Sequence, residues 1–298
     1  MAWTSAHHPP PTLCPTTSML QDSPYHVGDP GRGGIKTGNP AFSLDEMCLA
    51  FARFFGGKLS PAPLDQVRPA RILDLGCGTG AWAIQAATQF PEAQVLAVDL
   101  VPLPDRHLPP NINFLQADLE AGLGGLPVGA FDIVYSRQVL VHLANASTLT
   151  PVIASLVAPG GTLILGDIDF SSMAATGGPA TRRFVGHFTK VWAERGADLS
   201  FGRNVEGCVR GTRRFKEDEV FVRKVQLPLS GRGGVDEATN ELGVALRRGW
   251  LKGADSLSKS LQERGFTENM ARAQEEELND ENCQTVWDMY FVWATLPL

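Results

Sequence analysis

The sequence predicts an α/β protein built on a doubly wound, seven-stranded, mostly parallel sheet, and three observations carry that prediction. Short runs that are apolar throughout recur from Arg71 to Phe170, each separated by a helical pattern, as in a sheet covered on both faces. A glycine-rich turn, Gly76-Cys77-Gly78-Thr79-Gly80, follows the first run and opens onto an amphipathic segment. The chain then closes on "WDMYFVWATLPL", an aromatic strand that returns after a helical excursion and completes the sheet.

The elements follow in order. Ser43-Leu44-Asp45-Glu46 reads as a capping box, with a helix through "EMCLAFARFF" stopped by Gly56-Gly57. "RILDL" is the first strand and "AWAIQAATQF" its helix, ended by Pro91. "AQVLAVDL", "INFLQAD" and "FDIVYS" are strands two to four. Thr150-Pro151 reads as an N-cap and first turn, "APGG" as the end of that helix, and "TLILGDIDF" as the fifth strand. Further on, "TRRFVGHFTKVWAERG" is a helix and "EVFVRKVQLPL" an alternating sixth strand. Helical stretches are expected near Asp236–Trp250, Ala254–Arg264 and Thr267–Leu278, so that residues 236–280 form a helical lid on a domain spanning 41–298. Residues 1–40 are rich in Pro, Gly, Ser and Thr; they read as a partly disordered segment whose second half can cover a ligand or serve as a surface linker.

Composition removes several function classes. The net charge of −6 argues against a nucleic-acid surface. No apolar run approaches the roughly 20 residues of a membrane span, and the N-terminus lacks the charged and apolar regions of a secretory signal. Five scattered cysteines without a C-x-x-C pair suit free thiols in a reducing compartment, so a cytoplasmic protein is expected. The expected partner is a small molecule; the sequence leaves the oligomeric state open.

The glycine turn alone permits two ligands, because Gly76, Gly78 and Ala81 also fit the G-x-G-x-x-A of a dinucleotide site. Three acids decide between them. Asp74 lies two residues before Gly76, where it would repel a pyrophosphate but suits an ammonium group or a network of waters near a cation. Asp99 ends the second strand, placed to accept both ribose hydroxyls, a feature that fits either ligand. Asp118 ends the third, placed to accept from an adenine amino group while Leu119 packs beside the ring. Three acids at successive strand ends suit a cationic ligand without phosphate, which is S-adenosylmethionine.

"ILDLGCGTG", "VLAVDL", "FLQADLE", "FDIVYSRQVLVHL" and "LVAPGGTLILGDID" together resemble the class I S-adenosylmethionine-dependent methyltransferases, from about Arg71 to Phe170. The resemblance implies their Rossmann-like fold, S-adenosylmethionine as cofactor and S-adenosylhomocysteine as product. It places Gly76, Cys77, Gly78 and Gly80 at the methionine part, with Asp74 near its amino group. Asp99 holds the ribose, Leu100 flanks the adenine, Asp118 and Leu119 bind it, and Ser136, Arg137 and Gln138 border the methionine and the reacting methyl. Apart from the resemblance, Tyr25 and His26 would close over the cofactor if the N-terminal segment folds back. The C-terminal half and the stretch "GTGAWAIQAATQFPEAQVLAVDL" are more narrowly similar to fungal small-molecule methyltransferases, a group that includes methyltransferase-like regulators of secondary metabolism, although "SRQVLVHL" is closer to bacterial small-molecule enzymes.

The implied function is methyl transfer to an oxygen or nitrogen of a small molecule in specialised metabolism. Two alternatives come with it: a regulator of this fold that acts by binding partners, and an enzyme that keeps the cofactor as a positive charge for a non-methylating rearrangement. Aligning nucleophile, methyl and sulfur is the main task, and a base is needed only where the acceptor must lose a proton. His142 is the candidate base; its other reading is a packed histidine beside the site. Asp167 and Asp169 resemble metal ligands only superficially, since no further ligand cluster accompanies them, and no metal is expected. Arg182 and Arg183 either clamp an acidic substrate or form a solvated helix face. Trp192, Trp250, Trp287 and Trp293 are expected as core or pocket-wall aromatics, with acceptor contacts near Trp250.

Overall fold

The computed structural model describes residues 40–255 and 262–298. The expectations for Tyr25, His26 and the rest of the N-terminal cover, and for the middle of the Ala254–Arg264 helix, lie outside these residues.

Seven strands are present: β1 Arg71–Leu75, β2 Gln94–Asp99, β3 Ile112–Gln116, β4 Phe131–Arg137, β5 Val157–Asp169, β6 Val220–Pro228 and β7 Val286–Thr295. The helices are α1 Pro40–Phe54, α2 Ala81–Gln89, α3 Ala146–Ser155, α4 Phe170–Thr176, α5 Pro179–Ala193, α6 Phe201–Gly211, α7 Glu237–Asp255 and α8 Glu268–Asn279. The sheet order is β3-β2-β1-β4-β5-β7-β6. Strands β1 to β5 pair in parallel, and β7 runs antiparallel to both β5 and β6. The chain leaves β1 outward to β2 and β3, then crosses back to β4 on the other side of β1. That reversal opens a crevice at the carboxyl ends of β1 and β4, where ligands bind in open α/β sheets.

The strands are apolar because both faces are covered. Ile72, Leu73, Leu75, Val95, Val98, Ile133, Val134, Leu163 and Ile164 have 0% exposure, so no alternation is needed. On the face of α1, the rings of Phe51 and Phe55 pack on Phe291 of β7 with centroids 6.2 and 5.1 Å away. Trp82 of α2 stacks on Tyr135 of β4 at 3.7 Å and donates its indole N–H to Leu59 O at 3.0 Å. These contacts fix α2, and with it the glycine turn, against β1 and β4.

Several boundaries differ from the sequence reading. The first helix begins at Pro40, so Ser43 lies in its first turn instead of ahead of it; proline suits the start of a helix, where its missing N–H costs nothing. The third helix begins at Ala146, with Pro151 in its interior instead of at its start. "APGG" belongs to β5: Val157 pairs with Phe131, and the ladder resumes at Thr162 opposite Ile133, so a bulge absorbs the turn residues. Helices α4 and α6 were not expected. The three glycines of "FGRNVEGCVRG" lower its helix propensity, yet Phe201, Val205 and Val209 share one buried face. Gly202 also permits the close approach, since a Cβ there would lie 2.5 Å from the Ile168 carbonyl.

In the expected lid region, α7 packs on α1 and β6, while α8 packs on α5. Glu277 of α8 accepts the Ala180 and Thr181 amides, both at 2.9 Å, and so caps the start of α5. Trp250 Nε1 donates to Gln274 Oε1 at 3.2 Å and Arg247 to Leu278 O at 3.0 Å, which joins α7 to α8. Among the described residues, no helix is long and apolar enough to cross a membrane.

Candidate functional site

The crevice is built from β1 upward. Gly76 N and Cys77 N both donate to Val98 O, at 2.8 and 3.0 Å, turning the chain sharply away from the sheet. Gly76, Gly78 and Gly80 have φ of 70°, 57° and 77°, the left-handed region that a side chain disfavours. At Gly76 there is a second constraint: an added Cβ would lie 2.3 Å from Val139 Cγ2. Gly80 precedes α2 without a side-chain cap, so the helix start presents amides and a positive dipole end to the crevice.

The acids meet around this turn. Asp99 Oδ2 accepts from Gly78 N at 2.7 Å and Oδ1 from Val101 N at 3.0 Å. Burial raises its pKa, and those amides oppose the rise. Asp74 is 2% exposed; it accepts from Ala83 N in the first turn of α2, while its Oδ2 has no hydrogen-bond partner. Burial raises the Asp74 pKa to about 7, with Arg137 opposing and Asp99 adding to the rise. A buried carboxylate oxygen without a donor, facing no fixed cation at hydrogen-bond distance, is the complement of a cationic or donor group. Burial and these two acids push the Cys77 thiol up, away from the thiolate that a nucleophile needs.

The other expected residues are placed as follows. Asp118 Oδ1 accepts from Glu120 N at 2.8 Å, and Leu119 is buried beside it. Gln116 donates to Leu100 O at 3.0 Å, and Ala117 N to Asp99 O at 2.9 Å, which holds the ends of β2 and β3 together. The hydroxyl of Ser136 donates to Leu75 O at 3.0 Å and is spent inside the sheet. Arg137 lies over the Phe51 ring, 4.0 Å from its centroid, between α1 and the sheet. Gln138 adopts φ 57°, and its N–H donates to Gly166 O at 2.7 Å, which bends the chain into the segment carrying Val139.

Asp167 sets that segment. Its Oδ2 accepts from Val141 N at 3.0 Å, and burial raises its pKa to about 7 against those backbone bonds. Asp169 caps α4 by accepting from Ser171 N at 2.9 Å and pairs with Arg203. Among the described residues, no group of three or more His, Cys, Asp or Glu could hold a metal ion. Arg182 and Arg183 are exposed on α5. His142 follows the segment, its ring nitrogens closed to solvent and its centroid 5.6 Å from Trp192 and 6.5 Å from Phe170. Burial lowers its pKa to about 4.

Three residues of the site were not anticipated. Asp45 of α1 accepts from Thr79 Oγ1 at 2.6 Å and from Arg106 at 3.1 Å, and Arg106 also donates to Thr79 O at 2.8 Å. This clasp ties α1 and the segment after β2 to the glycine turn. The only sequence signal was the acidic pair Asp45-Glu46, which fitted a cap equally well. Half-exposed ion pairs are worth on the order of 1 kcal/mol, so Asp45→Ala is expected to lower the melting temperature slightly and to speed amide exchange at Gly78–Gly80. Unchanged exchange there would remove the clasp as a restraint on the turn.

Comparison with known proteins bears on this arrangement. A family model described as a methyltransferase domain matches residues 46–268. Methyltransferase str3 of Strobilurus tenacellus is 43% identical over 189 residues, which cover 63% of this chain and 66% of str3. Methyltransferase str2 of the same fungus is 34% identical over 244 residues, covering 77% of this chain and 85% of str2. A solved structure of Anabaena variabilis, described as a methyltransferase from an antibiotic biosynthesis pathway, superposes with TM-score 0.50 and 16% identity. It covers 83% of this chain and 96% of its own, a likeness of fold.

Proposed function

The chain belongs to the methyltransferase-domain family, whose methyl donor is S-adenosylmethionine, and on that premise we propose that it methylates an oxygen or nitrogen of a small molecule in specialised metabolism. The observation that carries the cofactor site is the buried Asp74 Oδ2, left without a donor beside the left-handed glycines. When bound, the cofactor supplies a methyl group already activated on a sulfonium. The chain's part is to hold that group and the acceptor in line. Asp74 receives the amino group, the Gly76–Gly80 turn cradles the amino-acid tail, Asp99 accepts the ribose hydroxyls, and Leu100, Asp118 and Leu119 border the adenine. Val139 and Gln138 line the methyl side, with the Ser136 hydroxyl retained by the sheet and Arg137 braced on Phe51.

The ionisation of Asp74 gives the test. Its folded pKa, about 7, lies above the unfolded carboxylate value of about 3.9. The ligand-free protein therefore loses stability as pH rises from about 4 to 7, where the buried carboxyl ionises. An ammonium beside Asp74 favours the carboxylate and expels the proton. Binding of S-adenosylhomocysteine is expected to release about half a proton at pH 7, where the free carboxyl is half protonated, and close to one at about pH 6, read in calorimetry as a heat that varies with the buffer's ionisation enthalpy. Asp74→Asn should abolish the release; a release that persists in the variant removes Asp74 from the site.

Burial weighs against a base at His142. With a pKa near 4 the imidazole is neutral at physiological pH and too weak to take a proton from an ordinary alcohol. The arrangement suits an acceptor that needs no base from His142 and gives His142 the role of an aromatic wall. His142→Phe is expected to keep kcat within about threefold. A fall of about a hundredfold in kcat with KM unchanged would restore the base.

A further inference from the structure

Beyond His142, the carboxyl end of the sheet carries a cluster of rings. Phe170 lies 5.5 Å from Phe188, 5.3 Å from Trp250 and 5.2 Å from Trp287, and Trp192 lies 5.7 Å from Phe188. Trp250 is the half-buried member, so the cluster meets solvent there. Three buried donors in this cluster have no hydrogen-bond acceptor: Trp192 Nε1, Trp287 Nε1 and Gln274 Nε2. Trp192 is 6% exposed, Trp287 2% and Gln274 0%. The orientation of the Gln274 amide is fixed, because the Trp250 indole can only donate and so requires the Gln274 oxygen. Its NH2 group must therefore look elsewhere.

Native interiors satisfy nearly all buried donors, because an N–H that has lost water and gained nothing is costly. Three such donors among tilted and edge-on rings offer a bound molecule with acceptor atoms a ready set of partners. All three offer hydrogen and none accepts it. The cluster's one titratable member, His142, is neutral at physiological pH. The Arg195 guanidinium lies over the Trp192 ring, 5.1 Å from its centroid.

We propose that the methyl acceptor is an uncharged aromatic molecule that bears, apart from the oxygen or nitrogen to be methylated, carbonyl or ether oxygens, and that it sits in this ring cluster with the Trp192, Trp287 and Gln274 N–H groups donating to those oxygens. The proposal rests on the methyltransferase reading and adds the class of acceptor to it. The rings supply offset and edge-to-face contacts that fit a flat body. The donors fix its orientation, and His142 joins the cluster to the segment beside the glycine turn.

The test uses the full chain saturated with S-adenosylhomocysteine and three probes in equilibrium dialysis: 2-acetylnaphthalene, 2-isopropylnaphthalene of the same shape, and the 2-naphthoate anion. The ketone should bind at least about tenfold tighter than the hydrocarbon, since only it accepts the buried donors, and tighter than the anion. In Trp192→Phe and Trp287→Phe, singly and together, that preference should fall to about threefold or less while the hydrocarbon's affinity is kept. A packing role alone would weaken both probes equally and leave their ratio unchanged. Equal binding of ketone and hydrocarbon to the unaltered protein, preference for the anion, or no binding of any probe while S-adenosylhomocysteine still saturates would overturn the proposal and leave the cofactor reading standing. Failure of S-adenosylhomocysteine to bind the unaltered protein would instead overturn the parent reading.

Discussion

Replacing Asp99 with alanine is expected to weaken S-adenosylhomocysteine binding by about 100- to 1,000-fold, or 3–4 kcal/mol, with the chain still folded. Two losses combine. Two ribose hydroxyls lose a charged acceptor, and Gly78 N loses the carboxylate that now holds it at 2.7 Å. The second loss loosens the turn that cradles the other end of the same ligand. Asp99→Asn separates them: the amide oxygen still accepts from Gly78, while the charge is gone, so its affinity should fall between the wild type and Asp99→Ala. The fold should survive, because burial already raises the Asp99 pKa and the ionised group is not stabilising the empty protein. Calorimetry with unchanged affinity in Asp99→Ala would remove Asp99 from the site.

The second large effect is expected at Gly76. Alanine there must hold φ near 70° and place its Cβ 2.3 Å from Val139 Cγ2. The left-handed conformation costs about 1–2 kcal/mol and overpacking about 1–3 kcal/mol. Val139 cannot swing aside cheaply, because a β-branched side chain is stiff at its first torsion. Gly76→Ala should lower the melting temperature by about 5 °C or more and abolish cofactor binding. In Gly76→Ala/Val139→Ala the clash is relieved and the backbone strain remains, so part of the stability should return. Full stability in the single variant would mean that turn and segment are not packed as described.

Much of the sheet was legible because its signals are local. "RILDLGCGTG" carries strand, turn and helix start within ten residues, and Asp99 stands at the end of the next apolar run. The boundaries that moved did so where tertiary contacts override local preference: the glycines of α6 permit a close approach to Ile168, and a bulge carries "APGG" into β5. The sequence could not tell which way Ser136 faces, since one step along a strand reverses the side chain; its hydroxyl is bound to β1. The Asp45–Thr79–Arg106 clasp joins residues 34 and 61 positions apart, beyond any local pattern. His142 was recognised as a titratable group in the right segment, but its low pKa follows from burial among rings supplied by α4 and α5.

The glycine turn first allowed either a pyrophosphate or a sulfonium, and one titration separates them. With the unaltered full chain, calorimetry should give saturable one-site binding of S-adenosylhomocysteine, with about half a proton released at pH 7, and no heat with NADH. Saturable binding of NADH with none of S-adenosylhomocysteine would contradict the site as derived.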